Sequence, residues 1–184
     1  MTLQRVALAD VAPQPWKNGG GVTRELLAWP LVTFPGDWLV RVSVADIEAN
    51  GPFSPYPGVQ RWFTVLEGMG VRLEFAESAS ILTPAQPPLA FDGADAPFCE
   101  LLAGPTRDLN LMVRGPAPAR MARALPGSRL DGAQRWRGLY TAAEARLNGI
   151  DLPPATLAWS DDGHDGGWLL ETGARAWWLS LESR

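Results

Sequence analysis

Three polar clusters in this 184-residue sequence have the residue types and spacing to hold an anion. The first is Lys17-Asn18-Gly19-Gly20-Gly21, which contains the only lysine among sixteen basic residues. Successive glycines let backbone N–H groups converge on one point, and an ammonium beside them suits a negative charge. A glycine-rich turn joining two strands accounts for the same residues without a ligand. The second cluster is Arg41 with Ser43, on alternate positions of "WLVRVSVADI". In a strand both side chains point to one face, which either lines a barrel or opens to solvent. The third is "NGPFSPYPGVQRW", in which Pro52, Pro55 and Pro57 stiffen a loop that delivers Arg61. A guanidinium matches a carboxylate through two hydrogen bonds, and a buried one is costly unless paired. Inward-facing arginines therefore need resident acids or an anionic ligand. Glu25, Asp46, Glu48 and Asp108 are the candidate resident partners.

Other chemistry is excluded by composition. His164 is the only histidine, so neither a three-histidine nor a two-histidine-one-carboxylate metal centre can be built. Ser-His-Asp and Cys-His catalysis would both depend on His164, which sits in "SDDGHDGG", the composition of a hairpin tip. Asp161, Asp162 and Asp165 lack EF-hand spacing, and there is no G-x-S-x-G, Walker A or G-x-G-x-x-G motif. No metal and no cofactor is expected. The lone Cys99, in "APFCELL", reads as a buried thiol and allows no internal disulfide. A net charge of −4 gives no pull toward nucleic acid or an anionic membrane. No run approaches the ~18 apolar residues of a membrane span, and the N-terminus lacks the basic start and apolar run of a signal peptide. The expectation is a soluble cytoplasmic protein.

The elements that must position these groups read as strands. Nineteen Gly and seventeen Pro fall between short apolar runs, which points to an all-β sandwich or barrel with little helix. In "WLVRVSVADI", Trp38, Val40, Val42 and Val44 share one face and Leu39, Arg41, Ser43 and Ala45 the other. "RWFTVLEG", "VRLEFAE" and "DLNLMVR" alternate in the same way, and "TLAWS", "GWLLET" and "RAWWLSLES" supply candidates near the C-terminus. "LYTAAEARLNG" fits a strand or a short helix, with Thr141 and Glu144 as a capping box and Gly149 as its end. Residues 116–137, rich in Ala, Pro and Arg, read as a connection between a motif-bearing half (about 1–115) and C-terminal strands (138–184). Five arginines against Asp131 there suggest a nucleic-acid patch, but the acidic chain favours a solvated surface.

The motifs resemble the HutD/Ves family. The matching pieces are "PWKNGGGVTREL" (15–26), "WLVRVSVADIEANGPFSPYPGVQRWFTVLEG" (38–68), "LAFDGADAP" (89–97) and "LAGPTRDLNLMVR" (102–114). One departure is Gly115, where the family often carries a second Arg after that at Arg114. The resemblance implies a cupin-type double β-barrel, a bicupin forming a single compact unit over 1–184, without the usual cupin metal histidines. It implies a role in bacterial histidine utilisation: non-catalytic binding of a small anionic metabolite such as N-formylglutamate, which moderates flux or expression. The Ves branch is tied to stress or cold response. On this reading Arg61 takes the ligand carboxylate, Arg41 and Ser43 line the first barrel, and Lys17 and Asn18 close its mouth. Two other readings stay open. One is a metal-free isomerase or lyase using Glu25, Asp46 or Lys17 for proton transfer. The other is an interaction module, a homodimer included, since nine Trp is high for this length.

Overall fold

The computed structural model describes residues 3–30, 37–163 and 166–183, so the readings of His164 and Asp165 lie outside the described residues. The chain enters on β1 (Gln4–Ala7) and a 3-10 turn (Leu8–Asp10). Ten strands follow: β2 (Gln14–Pro15), β3 (Gly21–Pro30), β4 (Trp38–Ile47), β5 (Gly51–Pro52), β6 (Val59–Glu67), β7 (Val71–Glu74), β8 (Ala79–Leu82), β9 (Leu89–Asp92), β10 (Phe98–Leu101) and β11 (Thr106–Arg114). A second 3-10 turn (Gly93–Asp95) separates β9 from β10. The chain continues with β12 (Ala119–Ala124), β13 (Arg129–Leu130), β14 (Gln134–Thr141), β15 (Ala145–Leu147), β16 (Ile150–Leu152), β17 (Thr156–Ser160), β18 (Trp168–Thr172) and β19 (Ala176–Glu182). The all-β expectation holds, and among the described residues no helix is long and apolar enough to cross a membrane.

The strands form two compact units, Ala12–Gly115 and Met1–Val11 with Pro116–Arg184. In the first, a six-stranded sheet, β2-β3-β4-β11-β6-β9, accompanies a four-stranded one, β5-β10-β7-β8, with every pairing antiparallel. Ala45, Ile47, Phe63 and Val65 of the large sheet share a core with Val71, Leu73, Leu82 and Cys99 of the small one. Each buried Val or Leu contributes roughly 1.5–3 kcal/mol, which is why these β-branched and aromatic alternations settle as strands. The second unit repeats the plan with β1-β17-β14-β19-β12 and β13-β18-β15-β16. Its core sets Leu139, Ala158 and Trp178 against Leu147, Leu152, Trp168 and Leu170.

Two local expectations are corrected and one open choice is decided. Residues 116–137 are not a plain connection. They hold β12, β13 and the start of β14, and β12 pairs with β19 from Ala119↔Leu181 to Ala124↔Ala176. As the edge of its sheet, β12 buries Met121 and Ala124 while Arg120 and Arg123 stay exposed, a spacing of three that shows no period-2 alternation in the sequence. The first half does not begin at residue 1, because β1 pairs with β17 (Gln4↔Trp159 to Ala7↔Thr156) and belongs with the C-terminal strands. Finally, 139–149 is strand rather than helix. Asn148 (φ 46°) and Gly149 (φ 76°) form a two-residue turn between β15 and β16, closed by Leu147↔Ile150. The Thr141 hydroxyl donates to the Ala143 carbonyl at 2.5 Å instead of capping a helix.

Candidate functional site

The register of β4, β11 and β6 builds the site. Met112 on β11 lies opposite Arg41 on β4 and Arg61 on β6, and Asn110 lies opposite Ser43 and Phe63. Alternation then raises Arg41, Met112 and Arg61 in one row, and Ser43, Asn110 and Phe63 in the next, from the same face. With strands about 4.8 Å apart, the Arg41 and Arg61 backbones stand roughly 10 Å from each other. The stiff Pro52–Tyr56 loop and the Trp16–Asn18 turn wall this face into a cavity of about 670 Å³, a size ordinary for a small-molecule site.

Arg61 is 5% exposed. Its Nη2 donates to the Asn110 Oδ1 at 3.0 Å, and the guanidinium carbon lies 4.9, 5.1 and 5.8 Å from the ring centres of Phe53, Phe91 and Tyr56. Its Nε and Nη1 are buried without a hydrogen-bond partner, and no carboxylate among the described residues pairs with it. Burial pushes its pKa down from the ordinary arginine range to about 10; Tyr56 opposes the shift and the neighbouring Arg41 charge adds to it. The group is therefore cationic at neutral pH and poorly compensated.

Arg41 differs. Its Nε donates to the Glu25 Oε2 at 2.5 Å, and its Nη1 lies 3.8 Å from the Met112 sulfur. Of the two alternatives left open for these arginines, a resident acid is found at Arg41, whereas Arg61 has no acid partner among the described residues. The other acids do not reach Arg61. Asp46 points to the opposite face and binds Arg24 at 2.7 Å and Arg107 at 2.6 Å. Burial alone would raise its pKa, but the two arginines outweigh that and lower it. Asp108 is fully buried; Thr106 donates to its Oδ2 at 2.8 Å, its Oδ1 has no partner, and burial holds its carboxyl well above the usual range, favouring the neutral form. Glu48 is exposed. Burial, with Asp108 nearby, pushes the Cys99 thiol up to about 12, as suits an inert core cysteine.

Lys17 and Asn18, both exposed, and the buried Ser43 all line the cavity. The glycine amides do not form an anion nest. Gly19 N–H donates to the Trp16 carbonyl at 3.0 Å, and Gly20 N–H to the Asn18 Oδ1 at 3.0 Å. Trp16 N–H closes the turn on the Gly21 carbonyl at 2.9 Å, and the Gly20 carbonyl accepts from Glu48 and Ala49. The glycines serve packing: a Cβ on Gly21 would lie 2.3 Å from the Asp46 carbonyl oxygen. Gly115 occupies a left-handed turn (φ 87°), a position suited to glycine. Of the groups proposed for proton transfer, only Lys17 lines the cavity, while Glu25 and Asp46 are held in ion pairs. Sequence reasoning missed Asn110 and Met112, although "DLNLMVR" sets both opposite its leucines, and it missed the three rings around Arg61.

The second unit provides an internal comparison. Arg137 on β14 is 2% exposed, like Arg61 buried, and lies 5.1 Å from the Trp168 ring centre. Its Nη2 pairs with the Asp162 Oδ1 at 2.9 Å and its Nη1 donates to the Gly166 carbonyl at 2.6 Å. Among the described residues no group of three His, Cys, Asp or Glu side chains could hold a metal ion.

The chain is similar to known proteins in sequence and in fold. The HutD family model matches residues 8–155. An uncharacterized 21.2 kDa protein in the hutC 3′ region of Pseudomonas putida is 38% identical over 146 residues, covering 79% of this chain and 72% of that protein. Protein Ves of Escherichia fergusonii is 38% identical over 109 residues, 57% of this chain and 56% of Ves, so the match spans little more than half of that protein. Among solved structures, HutD from Pseudomonas fluorescens SBW25 in a formate condition matches over 100% of both chains with a TM-score of 0.86 at 30% identity. The bacterial pirin YhhW of Escherichia coli, in complex with nickel(II), matches over 100% of both chains with a TM-score of 0.67 at 11% identity, which shows a shared cupin-type fold.

Proposed function

The chain belongs to the HutD family, and on that footing we propose that the Arg61 cavity is a non-catalytic site for a small carboxylate metabolite. The ligand is N-formylglutamate or another intermediate of histidine degradation in the cytoplasm, and its binding moderates histidine utilisation. The hut-region relative supports the pathway. The observation that carries the reading is Arg61 itself, buried, cationic and with Nε and Nη1 unpartnered. Arg137 is what a buried arginine looks like when the chain supplies its own acceptors. At Arg61 a soluble carboxylate supplies them, Asn110 fixes the guanidinium, and the rings of Phe53, Tyr56 and Phe91 exclude water, which strengthens the pairing.

No metal is needed for useful affinity. A ligand of about twelve heavy atoms reaches micromolar affinity at roughly 0.7 kcal/mol per atom, inside the ceiling for small ligands. The proton-transfer alternative draws on Glu25, Asp46 or Lys17; the two acids are committed to arginines, and Lys17 alone of the three lines the cavity. Calorimetry with N-formylglutamate, urocanate and glutamate tests the proposal. The expected result is saturable binding of at least one of them, abolished in Arg61→Ala. No heat and no thermal shift with any at millimolar concentration, or binding unchanged in Arg61→Ala, would reject it.

A further inference from the structure

We propose that Glu25, acting through Arg41, sets the charge of the head group that the cavity accepts: a singly charged carboxylate rather than a dianion. The inference rests on the carboxylate-site reading above. Arg41 and Arg61 rise in one row with only Met112 between them, and both line the cavity. Alone, two such guanidiniums would form a doubly positive clamp, the arrangement that selects dianions such as phosphate esters. Glu25 changes that count. It sits on β3 in register with Ser43 of β4, so its side chain lies on the same sheet face. Its Oε2 takes the Arg41 Nε at 2.5 Å.

Glu25 is not among the residues lining the cavity. It neutralises Arg41 from the side and leaves the ligand-facing surface intact, which makes it a positioning residue. The inner site then carries one net positive charge, that of Arg61. Lys17 is exposed at the mouth, where water screens its charge, so it does not enlarge the inner count. A second negative charge on the head group would meet Glu25 behind a neutralised Arg41. A second carboxylate on a longer ligand is accommodated only at the mouth, toward Lys17.

The test uses malonate and malonamate, which have nearly the same shape and differ by one charge, at pH 8 and constant ionic strength. Binding is followed on the Arg61 Nε–H resonance by NMR. The wild type should prefer malonamate. In Glu25→Gln the malonate-to-malonamate affinity ratio should rise about tenfold or more, the scale of one uncompensated charge in a partly buried site. Glu25→Gln with Arg41→Gln returns the inner charge to its native value and should return the ratio to within about threefold of wild type, which a purely structural role for Glu25 would not do. Arg41→Gln alone removes a positive charge and should weaken malonate about tenfold more than malonamate, giving a second route if Glu25→Gln folds poorly. A ratio unchanged in both single variants overturns the inference while leaving the carboxylate site standing. Ligand binding that leaves the Arg61 resonance unmoved overturns the carboxylate site itself.

Discussion

Replacing Arg61 by Met should stabilise the ligand-free protein while removing its binding function. In the folded chain the guanidinium is buried with two donors unpartnered, and its pKa falls from the ordinary arginine range to about 10. At 1.36 kcal/mol per tenfold, that depression corresponds to a cost of about 3 kcal/mol for keeping the charge inside. Met removes this cost and keeps an unbranched apolar chain beside Phe53 and Phe91. Against it stand the lost Asn110 hydrogen bond, about 1–2 kcal/mol with its acceptor left buried, and the weak attraction of the rings for the cation. The balance is a gain of about 1 kcal/mol, or roughly 2–4 °C in thermal midpoint for a chain of this size. Arg137→Met is the paired measurement. It strands Asp162 without its guanidinium partner and should cost about 3–5 kcal/mol. Urea denaturation of both variants in a buffer free of carboxylates and phosphate reads the difference. A loss above about 2 kcal/mol in Arg61→Met, comparable to Arg137→Met, would show that Arg61 has a resident partner and would refute the reasoning.

Three further outcomes are expected. Asp108→Asn should stabilise the protein increasingly as pH rises. The folded pKa is raised, so the wild-type carboxyl contributes most stability below the unfolded value near 3.9 and loses it as pH climbs toward the folded one. The gain should be near zero at pH 4 and grow by at most about 1.4 kcal/mol per pH unit above it; urea midpoints no better at pH 7.5 than at pH 4.5 would contradict this. Gly21→Ala forces a Cβ to 2.3 Å from the Asp46 carbonyl and should cost more than about 2 kcal/mol, read as a lowered thermal midpoint; an unchanged midpoint would show that β3 and β4 are not in this register. Lys17→Met should leave stability within about 0.5 kcal/mol and weaken an anionic ligand less than tenfold, with the loss vanishing in high salt; a salt-independent loss would place Lys17 inside the site.

The strands were largely legible and their neighbours were not. Alternation in 38–47 and 106–114 put Arg41 with Ser43, and Asn110 with Met112, on common faces before any coordinates. What local pattern does not carry is register. Arg41 and Arg61 share a row only because β11, distant in sequence, inserts between their strands. Register also decides which acid reaches which arginine: Glu25 falls opposite Ser43 and reaches Arg41, while Asp46 falls on the far face. Composition misled at 116–137, since the buried Met121 and Ala124 of the edge strand β12 lie three apart, on opposite faces, and leave no period-2 pattern among its Ala and Arg residues. At 139–149 the capping-box pattern left strand and helix both open, and the Asn-Gly pair at 148–149, a strong hairpin signal, accounts for the strands that form. The glycines at 19–21 suggested an anion nest, but their amides and carbonyls close the β2–β3 turn and hold it to the segment after β4.

The central claim is that Arg61 is a buried cation whose missing partner is a soluble carboxylate. A crystal structure of the protein with N-formylglutamate tests it most directly. The account expects a ligand carboxylate oxygen within 3.2 Å of the Arg61 Nε or Nη1, with the Arg41–Glu25 pair intact beside it. An Arg61 joined to an acid of its own chain, with the ligand absent from the cavity or bound elsewhere, would contradict it.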